Sequence, residues 1–145
     1  MPTVVIDGQN LAGNGKGKKA GGKMNFELAE KCAKFHYEQG SKVILVVPIW
    51  VEKKLSDEIR KIADIVPVWI GKDKSIDDQQ ILGLTVIKDG YYVSNDTKMS
   101  KHTSGDLINR EWCAVHRIGY TFSAEGEYIP KYPVSWHSRV ASIVA

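Results

Sequence analysis

Short runs of β-branched and apolar residues recur along this chain, and most are followed by a stretch of helical period. This alternation limits the possible folds more than any other feature. Residues 3–6 form such a run and end at Asp7-Gly8. Residues 42–47 form the next, closed by Pro48, and residues 65–70, 91–93 and 120–122 follow. Each reads as a buried strand that runs into a turn. Pro67 places the third run at a sheet edge, because proline cannot donate to a ladder. Between the runs lie helical patterns. Asn25 caps a helix reaching Gln39, with Gly40 beyond it and Leu28, Cys32 and Phe35 on one face. Leu55, Ile59 and Ile62 mark a second helix. Ser75, with Asp78 three residues on, opens a third that runs to Lys88. A fourth covers residues 106–117. Ala124-Glu125-Gly126-Glu127 turns the fifth strand into a hairpin through Tyr128 and Ile129.

Strands alternating with helices of this length form crossover units. The expected fold is an α/β protein with a mostly parallel central sheet. Covering both faces of such a sheet explains why its strands are apolar throughout. Ligands of open sheets bind at the carboxyl ends of the strands.

Composition narrows the class further. The chain has 145 residues and a formal net charge of +3, which fits one domain over residues 1–145. No apolar run is long enough to span a membrane. The opening Met-Pro-Thr-Val-Val-Ile-Asp lacks the basic-then-apolar order of a signal peptide. Cys32 and Cys113 are too few for a disulfide scaffold or a cysteine-rich zinc site, so an intracellular, cytoplasmic location is expected.

The first strand ends at Asp7 and the fourth runs into Ser94-Asn95-Asp96. Asp77 and Asp78 open the helix that leads into the fourth strand. These carboxylates converge on one sheet edge, where like charges repel strongly unless a cation lies between them. A hard divalent ion such as Mg²⁺ suits such oxygens. Water on the ion can attack a phosphodiester. Asn10 sits one turn past Asp7, placed to orient a carboxylate or touch a phosphate. Read singly, each Asp also suits a turn or a helix cap. Spacing leaves open which of Asp77 and Asp78 faces the site.

Gly13 to Lys23 holds five Gly and four Lys. Gly17 to Lys23 fits the start of a phosphate-binding loop, but Met24 stands where Ser or Thr must hold Mg²⁺. A basic loop gripping a phosphate backbone through Lys16, Lys18, Lys19 and Lys23 is the better functional reading, with Lys98 as a further contact. A solvated surface loop explains the lysines equally simply. No G-x-S-x-G elbow supports a serine nucleophile at Ser94, Ser100 or Ser104. His36, His116 and His137 are expected on surfaces, His102 in a polar loop and Cys113 in the core. Trp50, Trp69 and Trp112 suit core or edge packing better than base stacking. Tyr91 and Tyr92 should enter opposite faces of the sheet.

Four stretches resemble, in order, the Regnase (MCPIP) class of NYN ribonucleases within the PIN-like group. They are Val4-Val5-Ile6-Asp7-Gly8-Gln9-Asn10, Val46-Val47-Pro48-Ile49-Trp50, Asp77-Asp78-Gln79-Gln80-Ile81-Leu82 and Asp89-Gly90-Tyr91-Tyr92-Val93-Ser94-Asn95-Asp96-Thr97. Tyr120-Thr121-Phe122, followed by Tyr128-Ile129-Pro130, looks like the family's closing hairpin. The resemblance implies a three-layer α/β/α sandwich and an endoribonuclease dependent on Mg²⁺ or Mn²⁺. Its implied substrate is single-stranded or stem-loop RNA, and its implied role is RNA decay or silencing. Family acids match Asp7, Asp77, Asp78 and Asp96, and the family Asn matches Asn10. Asp7, Asp78 and Asp96 are the implied metal ligands. A further family Asp follows the fourth strand, and Asp106 is its nearest match after the intervening residues 98–105. The family's basic residues match Lys16 to Lys23 loosely. Related domains self-associate, so a homodimer is a further expectation. The family's CCCH zinc finger cannot be built from two cysteines.

Two other functions remain compatible with the residues. One is a nucleic-acid-binding or scaffolding domain with weakened catalysis. The other is a phosphohydrolase for small substrates.

Overall fold

The computed structural model describes residues 1–13, 24–69, 75–102 and 107–144. Strand β1 (Val4–Asp7) runs straight into a short helix, α1 (Gly8–Ala12). Helix α2 (Glu27–Glu38), strand β2 (Val43–Pro48), helices α3 (Ile49–Glu52) and α4 (Asp57–Ile62), and strand β3 (Ala63–Val68) follow. The second half holds α5 (Ile76–Ile87), β4 (Tyr91–Val93), a 3₁₀ turn at Met99–His102, α6 (Arg110–His116), β5 (Arg117–Phe122), β6 (Tyr128–Lys131) and α7 (Val134–Val144). The strands form one sheet in the order β3-β2-β1-β4-β5-β6. All neighbours pair in parallel except β5 and β6, which form the expected antiparallel hairpin.

The strand pleat sorts the apolar residues into two cores, since successive side chains leave opposite faces. Val4, Ile6, Val43, Leu45, Val47, Tyr91 and Val93 enter one, against Leu11 of α1, Ala29 and Cys32 of α2, Ile59 of α4 and Trp136 of α7. Val5, Ile44, Val46 and Tyr92 enter the other, against Ile81 and Leu82 of α5 and Cys113 of α6. The result is the expected three-layer α/β/α sandwich. Tyr91 and Tyr92 part to opposite faces as their alternation requires.

Several local expectations need correction. The buried face of α2 is Ala29, Cys32, Ala33 and His36, with Leu28 and Phe35 only half-buried at its margins. His36 is therefore not a surface residue. It is fully buried, its Nε2 lies 2.8 Å from the Tyr128 hydroxyl, and the rings of Phe35 and Tyr132 stand edge-on to it. Burial holds its pKa down to about 4, so the ring is neutral. Ser75 precedes α5 without making a side-chain cap bond. The helix expected over 106–117 begins only at Arg110, where Asn109 caps it by accepting from the Trp112 N–H at 2.8 Å. Arg117 already belongs to β5, which starts earlier than its aromatic residues suggested. Trp50 and Trp69 are 57% and 71% exposed, so neither enters the core. α7 was not foreseen. It docks through Trp136, whose ring meets Tyr91 edge-on and stacks on Tyr132 at 4.6 Å.

Both margins of the sheet contain a proline. Pro67 lies in β3, as expected of an edge, and Pro130 lies in β6. Among the described residues, no helix is long and apolar enough to cross a membrane.

Candidate active site

β1 sits between β2 and β4, so the chain builds the sheet first to one side of β1 and then to the other. A crevice opens at such a reversal, at the carboxyl ends of the two central strands. Asp7 is the last residue of β1 and Asp96 lies three residues past β4. The pleat turns Asp7 to the same side as Val5, the face covered by α5.

Gly8 allows α1 to start immediately after Asp7. A Cβ there would lie 2.5 Å from the Val46 carbonyl oxygen, so a larger residue would push α1 off β2. Asp7 itself caps α1, its Oδ1 accepting from the Asn10 N–H at 3.3 Å. Its Oδ2 accepts from the Ser94 hydroxyl at 2.9 Å. Ser94 is fully buried and also accepts from the Asp96 N–H at 3.1 Å. One hydroxyl thus connects the two strand ends.

Asp77 and Asp78 occupy the first turn of α5, where the helix dipole favours negative charge. Asp78 is buried and Asp77 half-buried. The phase of the helix explains the difference. Asp78, Ile81, Leu82 and Thr85 form one buried stripe at helical spacing, with Asp78 at its site end. Extrapolating that stripe backward from Ile81 and Leu82 is the signal that selects Asp78 over Asp77.

The carboxylates share one electrostatic neighbourhood. Burial and then the charge of Asp77, with a smaller part from Asp96, push Asp7 up to about 7, although bonds from Ser94 and Asn10 oppose this. Burial and the charges of Asp77, Asp7 and Asp96 push Asp78 up to about 8, with Lys101 opposing. Asp96 is half-exposed, and its Oδ1 accepts from the Lys98 N–H at 2.8 Å, closing a tight turn. Lys98 is exposed beside it. Carboxylates kept together at this cost are the donor type a hard cation prefers. Even so, among the described residues no three His, Cys, Asp or Glu side chains already stand close enough to form a ligand group. Asp106, Lys16, Lys18, Lys19 and Lys23 lie outside the described residues.

Asn10 bonds Asp7 through its N–H and acts on the Asp96 loop through its side chain. Its side-chain oxygen touches no carboxylate in the hydrogen-bond network. It accepts from the Asn95 N–H at 2.9 Å and from the Tyr120 hydroxyl at 2.7 Å. Asn95 then pairs with β5 as a strand peptide would. Its Nδ2 donates to the Tyr120 carbonyl and its Oδ1 accepts from the Tyr120 N–H, both at 3.0 Å. Arg117 donates to the Ser94 carbonyl at 3.0 Å. Ser94, Asn95, Arg117 and Tyr120 therefore position the loop that carries Asp96. The Ser-Asn-Asp-Thr run was the available signal for the first two. Arg117 and Tyr120 are distant in sequence and had none.

No family model matches the chain, and no curated protein does. Among solved structures, the chain is similar to nuclear proteinaceous RNase P 2 (PRORP2) from A. thaliana, with a TM-score of 0.71 and 16% identity over 91% of its length. It spans 30% of that chain. The likeness shows a shared fold, an α/β/α sandwich with a mostly parallel sheet.

Proposed function

We propose that the chain is an endoribonuclease that hydrolyses phosphodiester bonds in single-stranded or loop RNA, with the Regnase class as a functional parallel. The observation that carries this reading is the mutual electrostatic influence of Asp7, Asp77, Asp78 and Asp96 near the carboxyl ends of β1 and β4. The fold it shares with a proteinaceous RNase P supports it. Asp7, Asp78 and Asp96, with Asp106, would hold Mg²⁺ or Mn²⁺, which supplies an acidified water and neutralises phosphate charge when bound.

The chain's own residues have separable parts. Ser94 fixes the orientation of the Asp7 carboxylate. Asn10, Asn95 and Tyr120 hold the loop that carries Asp96. Asp77 would orient a water at the crevice. Lys98, with Lys16, Lys18, Lys19 and Lys23, would neutralise the RNA backbone. RNA decay or silencing is the process we assign, in the cytoplasm, with a homodimer as the proposed assembly.

The test is cleavage of a single-stranded RNA by highly purified protein with Mn²⁺ or with EDTA. Asp7→Asn should abolish metal-dependent cleavage while circular dichroism stays that of the wild type. Undiminished cleavage by that variant would overturn the reading. The absence of a ready-made three-ligand group among the described residues favours a second reading, a nucleic-acid-binding domain with weakened catalysis. RNA binding without EDTA-sensitive cleavage would select it.

A further inference from the structure

We propose that Trp50 and Trp69 form a base-stacking platform for single-stranded RNA at the carboxyl ends of β2 and β3. The inference deepens the ribonuclease reading and rests on it for the choice of substrate.

Both indoles are exposed, at 57% and 71%, whereas Trp136 is buried. Large aromatic rings left in water beside a charged crevice are a common sign of a binding surface. Their places are set by the strands. Trp50 lies two residues past Pro48, the end of β2, and Trp69 lies directly past Val68, the end of β3. Pro48 and Val68 are register partners, and α3, which carries Trp50, packs against β3. Strands lie about 5 Å apart, so the ends of β2 and β3 lie about 5 and 10 Å to the side of Asp7; because Asp7 pairs with Val46, two residues before Pro48, they also project about 7 Å further along the strands. The platform and Asp7 thus share one edge of the sheet, within reach of neighbouring nucleotides of a single strand.

Trp50 is held ready. Phe26 meets its ring edge-on at 6.0 Å, and the Lys54 ammonium lies 5.6 Å from its centre. Beside it opens a cleft of about 650 Å³ lined by Met24, Phe26, Trp50, Val51, Lys54 and Leu55 among others. The Asn25 N–H donates to the Ala12 carbonyl, fastening this cleft to the helix that leaves Asp7. Charge gives the strand a side. Lys53 and Lys54 are exposed next to Trp50, while Glu27 and Glu30 line the cleft too. Phosphates therefore pass along the lysines, and bases lie on the indoles. Aromatic faces flanked by cations are how proteins hold single strands without reading their sequence.

The test uses the full chain in EDTA, so that binding is read without cleavage. A labelled oligouridylate is titrated into wild type, Trp50→Ala, Trp69→Ala and Trp50→Phe, with folding checked by circular dichroism. Each Ala variant should lose about 5- to 150-fold in affinity, and Trp50→Phe should keep most of it. Binding should quench tryptophan fluorescence in the wild type. Wild-type affinity in both Ala variants would overturn the platform. So would a change in sedimentation, rather than in RNA affinity, which would mark a surface for a second protein. The two readings fail separately. If Asp7→Asn abolishes cleavage while the Trp variants bind normally, only the platform falls. If the wild type never cleaves but its binding depends on Trp50 and Trp69, the platform stands and the nuclease reading falls.

Discussion

Two places in this molecule bury titratable groups, and they deal with burial in opposite ways. His36 is enclosed by aromatic rings and shares a hydrogen bond with Tyr128, so it stays neutral. Asp7 and Asp78 are as well buried, but each faces other carboxylates. Desolvation acts on both places. Only the acidic one adds repulsion between like charges to desolvation, and a cation would relieve it. The difference separates a group buried among aromatic rings from groups buried among like charges.

The largest expected effect should sharpen this contrast. Asp78→Asn, like Asp7→Asn, should lower RNA cleavage by about 10³-fold or more, while His36→Phe leaves turnover within about twofold. Single-turnover cleavage of a labelled RNA checks both.

Tyr128→Phe should destabilise the fold by about 2 kcal/mol, because it leaves His36 Nε2 buried without its partner. Denaturant titration measures this, and cleavage at a permissive temperature should be unchanged. A loss of cleavage in the folded variant would break the comparison.

The pH dependence of stability should have opposite signs at the two places. Asp7 and Asp78 hold their protons up to about 7 and about 8, against 3.8 for the free group. Their contribution is complete below about pH 4 and is lost as pH rises through those values. His36 is held down to about 4 from 6.5, so its contribution is complete above 6.5 and is lost as pH falls. In EDTA, raising pH from 6 to 8 should therefore cost about 4 kcal/mol, and Asp7→Asn should flatten part of that slope. Mn²⁺ should flatten it in the wild type. Equal slopes with and without Mn²⁺ would remove the cation from the account.

The smallest effect tests the positioning network. Tyr120→Phe removes the hydroxyl that donates to Asn10 and should lower cleavage about 10-fold, with a stability loss of about 1 kcal/mol. Mn²⁺ affinity read in parallel distinguishes a displaced Asp96 loop from a general loss of fold.

What the sequence disclosed follows from the range of the interactions. β1, β2 and β4 were legible because their residues are apolar in both pleat phases and end at turn residues. The places of the four acids in the fold were legible because strand ends and a helix start are local features. His36 was misplaced because its reason for burial, Tyr128, lies 92 residues away. Trp50 and Trp69 were misread because hydrophobicity implies burial only on average. Asn10 was given a carboxylate or a phosphate as its contact because no local pattern shows that β5 brings Tyr120 beside it.

The prolines at the two margins of the sheet have a further consequence. A backbone that cannot donate at Pro67 in β3 or at Pro130 in β6 is a poor template for another strand. The hairpin that closes one side and the edge strand on the other both resist growth by sheet extension. Copies of this chain that meet in a crowded cell would have to do so through side chains, leaving the ribbon of paired strands finite and the protein guarded against fibrous aggregation.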